Sequence, residues 1–111
     1  MENGRKRGTS LRRPTKIIIL NQIFKIEWVS SGDDHGNVDL NNCVIQLVKT
    51  YPKKTICDTL IHEIVHAVNH VMGVGDKTSE EETTSRVSTG LCTVWTHNPK
   101  VFAWLHKQLT S

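Results

Sequence analysis

Residues 62–66 read His-Glu-Ile-Val-His. Two imidazoles four residues apart stand one turn from each other on the same face of a helix, a spacing that lets both reach one metal ion. Glu63, beside the first of them, is placed to take a proton from a water on that ion. The string is the HExxH signature of zinc hydrolases, in which the cation acidifies a water and polarises a carbonyl while the glutamate serves as general base. A catalytic zinc needs about three protein ligands and one open position, so His62 and His66 require a third.

His70 shares the helix face but lies two turns beyond His62, roughly 12 Å along a continuous helix. The extended pattern HExxHxxGxxH needs Gly and His where Asn69 and Met72 stand, which excludes that class. The acidic run Glu80-Glu81-Glu82 remains. Three carboxylates at a helix start also complement the macrodipole, and that is their purely structural use. Glu82 forms a capping box with Ser79. Glu80 is in phase with Val87, Leu91 and Val94, whereas Glu81 continues into Thr84, Ser85 and Ser88, small residues over which two helices can approach. Glu81 is therefore expected as the third zinc ligand, with Glu80 next. Asp58, one turn before His62, is expected to accept a hydrogen bond from a ligand histidine. Tyr51 either stabilises an oxyanion or packs at a strand-to-helix turn. His35, His97 and His106 have no motif around them and are expected at the surface.

The elements that must hold this site follow from periodicity. Ile17-Ile18-Ile19-Leu20 is a short buried strand; Phe24, Ile26 and Trp28 alternate inward along a second. A third strand lies near Asn37–Leu40, Asn41-Asn42 is a hairpin turn, and Val44–Val48 is a fourth strand, taken as the edge that would hold an extended peptide. Pro52 opens a helix from Lys53 to Met72 that Gly73 stops. Its apolar stripe is Leu60, Ile61, Ile64, Val65, Val68, Val71 and Met72, with His62, Glu63 and His66 expected on the opposite face. A second helix follows Ser79, with Val87, Leu91, Val94 and Trp95 inward. Asn98-Pro99 ends it and caps a third, packed back through Val101, Phe102 and Leu105. The tryptophans and Cys57 and Cys92 are expected in packing positions. The fold class is α+β: a small antiparallel or mixed sheet of about four strands, then three helices, with HExxH on the first long one.

The chain has 111 residues and a formal net charge of +3, enough for one domain with one core. Residues 1–16 hold Arg5, Lys6, Arg7, Arg12, Arg13 and Lys16 against Glu2 alone, so the basicity belongs to the start of the chain. Residues 1–14 are expected as a flexible basic tail ahead of a domain spanning 15–111, able to make weak, sequence-independent nucleic-acid contact. Three cysteines without a CxxC pair are expected as reduced thiols of a cytoplasmic protein. Neither a membrane span nor a secretory signal is expected.

A resemblance covers roughly residues 16–105. His62-Glu63-x-x-His66 with a glutamate on the following helix resembles the gluzincin arrangement. The blocks Lys16–Leu20, Phe24–Trp28, Gly36–Asp39, Asp58–Ala67, Glu80-Glu81 and Gly90 to Pro99 are more closely similar to the small phage-associated zincin-type metallopeptidases. That resemblance implies a compact zincin-like core, one Zn2+ ion, hydrolysis of a peptide or protein substrate, and action in the host cytosol as a phage or mobile-element protein. The alternative is a catalytically weak zincin-fold binding or regulatory protein that engages a host protein; the intact Glu63 argues against it, since a pure binder has no use for a general base.

Overall fold

The computed structural model describes residues 12–111. Strands β1 (Lys16–Ile19), β2 (Gln22–Val29), β3 (Gly36–Asp39) and β4 (Val44–Val48) precede helices α1 (Lys53–Val71), α2 (Glu80–His97) and α3 (Pro99–Thr110). The expected α+β order is present. The sheet runs β1-β2-β4-β3. β1 and β2 are antiparallel, β4 is parallel to β2, and β3 returns antiparallel on the outside of β4. β4 is therefore interior, paired on both sides. It has no free edge for a substrate, contrary to expectation, because β3 occupies that position.

Turn chemistry sets this topology. The Asp39 carboxylate accepts from the Asn42 side chain (2.8 Å) and from the backbone N–H groups of Asn41 and Asn42 (3.1 Å each). These bonds, the Asn42 side chain foremost, hold the Asp39 carboxyl below its ordinary range and close the β3–β4 hairpin where Asn41-Asn42 was expected to turn.

The core lies between one sheet face and the helices. Ile17, Ile19, Phe24, Ile26, Ile45 and Leu47 meet Leu60, Ile64, Ala67 and Val68 of α1, with Val94, Val101, Trp104 and Leu105 closing the layer. Each such aliphatic side chain contributes about 1.5–3 kcal/mol by leaving water. Trp28 packs edge-to-face on Trp104 at 5.7 Å, its Nε1–H donates to the Pro14 carbonyl (2.8 Å), and the Arg13 guanidinium lies 5.3 Å over its ring. Arg13 and Pro14, read from the sequence as part of the flexible tail, therefore lie against Trp28 of the domain. Of the basic cluster expected to touch nucleic acid, Arg5, Lys6 and Arg7 lie outside the described residues.

Two glycines mark close approaches. A Cβ at Gly36 would stand 2.7 Å from the Gln46 carbonyl oxygen and 2.8 Å from Thr59 Cγ2, so its absence lets β3 press against α1. A Cβ at Gly90 would stand 2.5 Å from Val68 Cγ1; α2 meets α1 there, not over Thr84, Ser85 and Ser88, of which all three are exposed. Two expected packing residues are also displaced: Trp95 is 63% exposed and Cys92 is exposed. The α1–α2 contact through Gly90 turns them outward. Cys57 is buried as expected, and burial pushes its thiol pKa up.

The capping box at the start of α2 is complete: Ser79 Oγ accepts from the Glu82 N–H (3.1 Å) and the Glu82 carboxylate accepts from the Ser79 N–H (3.3 Å). The bonds to Ser79 hold the Glu82 carboxyl below its ordinary value. A depressed folded pKa contributes stability present above the unfolded value and lost as pH falls through the folded one. Ser79→Ala is expected to cost about 1 kcal/mol near neutrality, and thermal melts should find the gap between variant and wild type narrowing once pH drops below the ordinary carboxylate range.

Candidate metal centre

α1 ends firmly: Gly73 takes φ 69°, and Arg86 Nη1 donates to the Gly73 carbonyl at 2.9 Å and lies 3.4 Å from that of Met72. Midway along the helix, His62 and His66 sit exposed on one face. Their Nε2 atoms are 3.1 Å apart, and the rings meet edge-on with centroids 4.7 Å apart and planes at 80°. Two nitrogens bound to one tetrahedral zinc at 2.0–2.1 Å lie about 3.3 Å from each other. The pair therefore already converges at nearly the spacing that a shared cation demands. It is the part of the expected donor set that fits zinc.

Glu63 departs from expectation. It is only 6% exposed, so it belongs to the buried side of α1 with Thr59, Leu60, Ile64 and Ala67 and not to the polar face. The apolar stripe read from sequence is rotated accordingly, and Ile61 stands 40% exposed. The cause is β3: Gly36 draws the strand against Thr59, one turn before Glu63, so this flank of α1 is covered while Ile61 is left out. Among the described residues no ion pair or hydrogen bond engages the Glu63 carboxylate. Its carboxylate oxygens are not among the sealed, unpartnered atoms of the described residues, so the low exposure reports the packing of the stem and not a charge stranded out of water. One sealed, unpartnered side-chain atom occurs among the described residues, Asn69 Oδ1. Asn69 lies one turn past His66 on the imidazole face, and no motif in the sequence singled it out as an acceptor.

The third ligand is not brought to the pair. Among the described residues no group of three or more His, Cys, Asp or Glu side chains is arranged to hold a metal ion. The helix contacts explain why. α2 meets α1 at Val68 and Met72, about 120° around α1 from the imidazoles at 100° per residue. Glu81 is about two and a half turns before Gly90 and about 180° around α2 from it, on the face turned away from α1. Glu80 is about a quarter turn from the Gly90 face, and both carboxylates are exposed. Asp58 is exposed, with no hydrogen bond to His62. Tyr51 stands against His35, centroids 4.2 Å apart, at the strand-to-helix turn, the packing alternative for that residue.

The strand edge next to this face is β3. It is the outer strand and lies against Thr59, whose hydroxyl is bonded back to the Thr55 carbonyl at 2.7 Å, leaving its methyl toward Gly36. Sequence reasoning chose β4 instead; the signal it passed over was Gly36 itself, a glycine opening a strand where backbone approaches another element closely. No helix among the described residues is long and apolar enough to cross a membrane. Comparison of the chain with protein-family models, with curated proteins and with solved structures finds no match.

Proposed function

We propose that this protein is a minimal zinc-dependent peptidase of zincin type. The observation that carries the proposal is the convergence of the His62 and His66 Nε2 atoms to 3.1 Å on one exposed helix face, with Glu63, a residue only 6% exposed, adjoining in sequence. His62 and His66 would hold the ion through those nitrogens. A zinc ion bound there supplies an acidified water and a polarised carbonyl. Glu63 would accept the water's proton and return it to the leaving amine; its buried stem fixes the carboxylate in one place. An extended peptide would pair with the free edge of β3, which runs beside the same flank of α1. Glu81, and next Glu80, are the carboxylates to test as the third ligand. Cytoplasmic action on a protein of the host is part of the same proposal.

The test is metal analysis of the whole chain. Zinc is expected to bind at about one ion per chain, and His62→Ala or His66→Ala to abolish it. Glu80→Ala and Glu81→Ala, titrated in parallel, identify the third ligand by which one weakens binding. If the wild type takes up no zinc, or His62→Ala takes up as much as the wild type, the peptidase proposal fails. The exposure of the large apolar side chains Trp95, Leu109 and Ile61 on the helices favours a second role in binding a protein partner.

A further inference from the structure

The His62–His66 pair is half of a coordination shell. A closed zinc site takes four ligands in a tetrahedron, and two nitrogens on one such ion lie about 3.3 Å apart. The two Nε2 atoms stand 3.1 Å from each other, so α1 supplies one edge of that tetrahedron. Its own chain does not supply the opposite edge. Among the described residues no third His, Cys, Asp or Glu joins the pair, and residues 1–11 contain a single such side chain, Glu2. Both imidazoles are exposed, and the helix face around them is open along its length, with Lys54, Asp58, Ile61 and His70 exposed as well. From Asp58 to Met72 the chain has no lysine or arginine. This stretch therefore sets no fixed positive charge against a cation, or against its own copy.

We infer that, when zinc is scarcer than protein, one zinc ion bridges two copies of this chain, held by His62 and His66 of each copy. The contact is isologous: each copy offers the same pair across a two-fold axis. Two half-sites that each lack two ligands make one site that lacks none, and mass action ties association of the chains to binding of the ion. With zinc in excess every pair has its own ion, and the copies separate. The bridge presupposes the reading of His62 and His66 as zinc ligands and adds a regulation to it. An ion carrying four imidazoles has no position open for water, so the bridged form is closed to hydrolysis, and separation of the copies opens it. Glu63, Glu80 and Glu81 take no part in the bridge.

The experiment titrates the full chain, first freed of metal with EDTA, with zinc sulfate and follows its mass by sedimentation velocity. Near about half an ion per chain the mass is expected to double, and to return to that of one chain in several-fold zinc excess or on renewed chelation. Raising the chain concentration at a fixed zinc ratio should raise the dimer fraction. His62→Ala and His66→Ala, both at exposed positions and checked for folding by circular dichroism, are expected to remain single chains at every ratio. Glu2→Ala, Glu80→Ala and Glu81→Ala are expected to dimerise as the wild type does, and so is Trp95→Ala, which separates a metal bridge from association through exposed apolar surface. Uptake of one zinc per chain with the mass of one chain at every ratio would overturn the bridge and leave the peptidase proposal standing, whereas no zinc uptake overturns both. A dimer that survives EDTA, that His62→Ala still forms, or that Glu81→Ala abolishes would also overturn it.

Discussion

Replacing Glu63 with glutamine is expected to leave zinc bound and to lower kcat for peptide hydrolysis about 10²- to 10⁴-fold, the range that a general base contributes. The amide keeps the volume of the carboxylate but cannot take a proton, so the loss falls on the chemical step and KM should move little. Stability supplies an independent readout. Among the described residues nothing pairs with the Glu63 carboxylate, although the residue is buried. The isostere fills the same space and gives up no ion pair or hydrogen bond among the described residues, so the melting temperature of Glu63→Gln is not expected to fall. Structural glutamates behave the opposite way: their removal costs stability and leaves chemistry alone. Measured side by side, zinc content, kcat and melting temperature therefore distinguish a base from a packing residue. Retained hydrolysis within a few-fold would remove Glu63 from the mechanism, and an intact biological effect without hydrolysis would transfer the weight to partner binding.

What the sequence made legible, and what it did not, divides along the range of the interactions. The HExxH spacing, the capping box at Ser79 and Glu82, the Asn41-Asn42 turn and the alternation of Phe24, Ile26 and Trp28 are all local, and each appears in the structure where expected. The rotation of α1 was not legible. Counting apolar residues at helical spacing placed Ile61 and Val65 inward and Glu63 outward, but the helix's rotation is set by a strand that reaches it through Gly36, and by an α2 contact through Gly90. Neither glycine carries a hydrophobicity signal. The same two contacts decide the third-ligand question. Glu81 was chosen because its flank is lined by small residues, yet the residue that admits α1 is Gly90 and it faces the other way. Trp95 was counted as core for the same reason, and it stands exposed instead, stacked on Phe102.

Asn98 supplies the sharpest test of how the helices are fixed to the sheet. Read as an N-cap for α3, it makes no side-chain cap bond. Its side chain reaches instead to the outer edge of β1, where Oδ1 accepts from the Ile18 N–H (2.8 Å) and Nδ2 donates to the Ile18 carbonyl (2.6 Å) and to the Val94 carbonyl (2.7 Å). The amide thus pairs with a strand edge as a peptide group would, covering N–H and C=O groups that an edge strand otherwise leaves open. Asn98→Ala strips partners from partly buried backbone groups and is expected to cost about 2–4 kcal/mol. Asn98→Asp is more discriminating. The carboxylate can still accept from the Ile18 N–H, but its other oxygen meets two carbonyl oxygens in a buried site. Protonation relieves that repulsion, so the introduced carboxyl has a raised folded pKa, and its stability contribution is held at low pH and lost as pH rises. Thermal melts from acid to neutral pH should find the Asn98→Asp deficit relative to wild type widening with pH, whereas the Asn98→Ala deficit stays flat. A flat deficit for both would mean that the amide orientation is not what ties β1 to the α2–α3 corner, and that apolar contacts of Val94 and Val101 with the sheet hold it there.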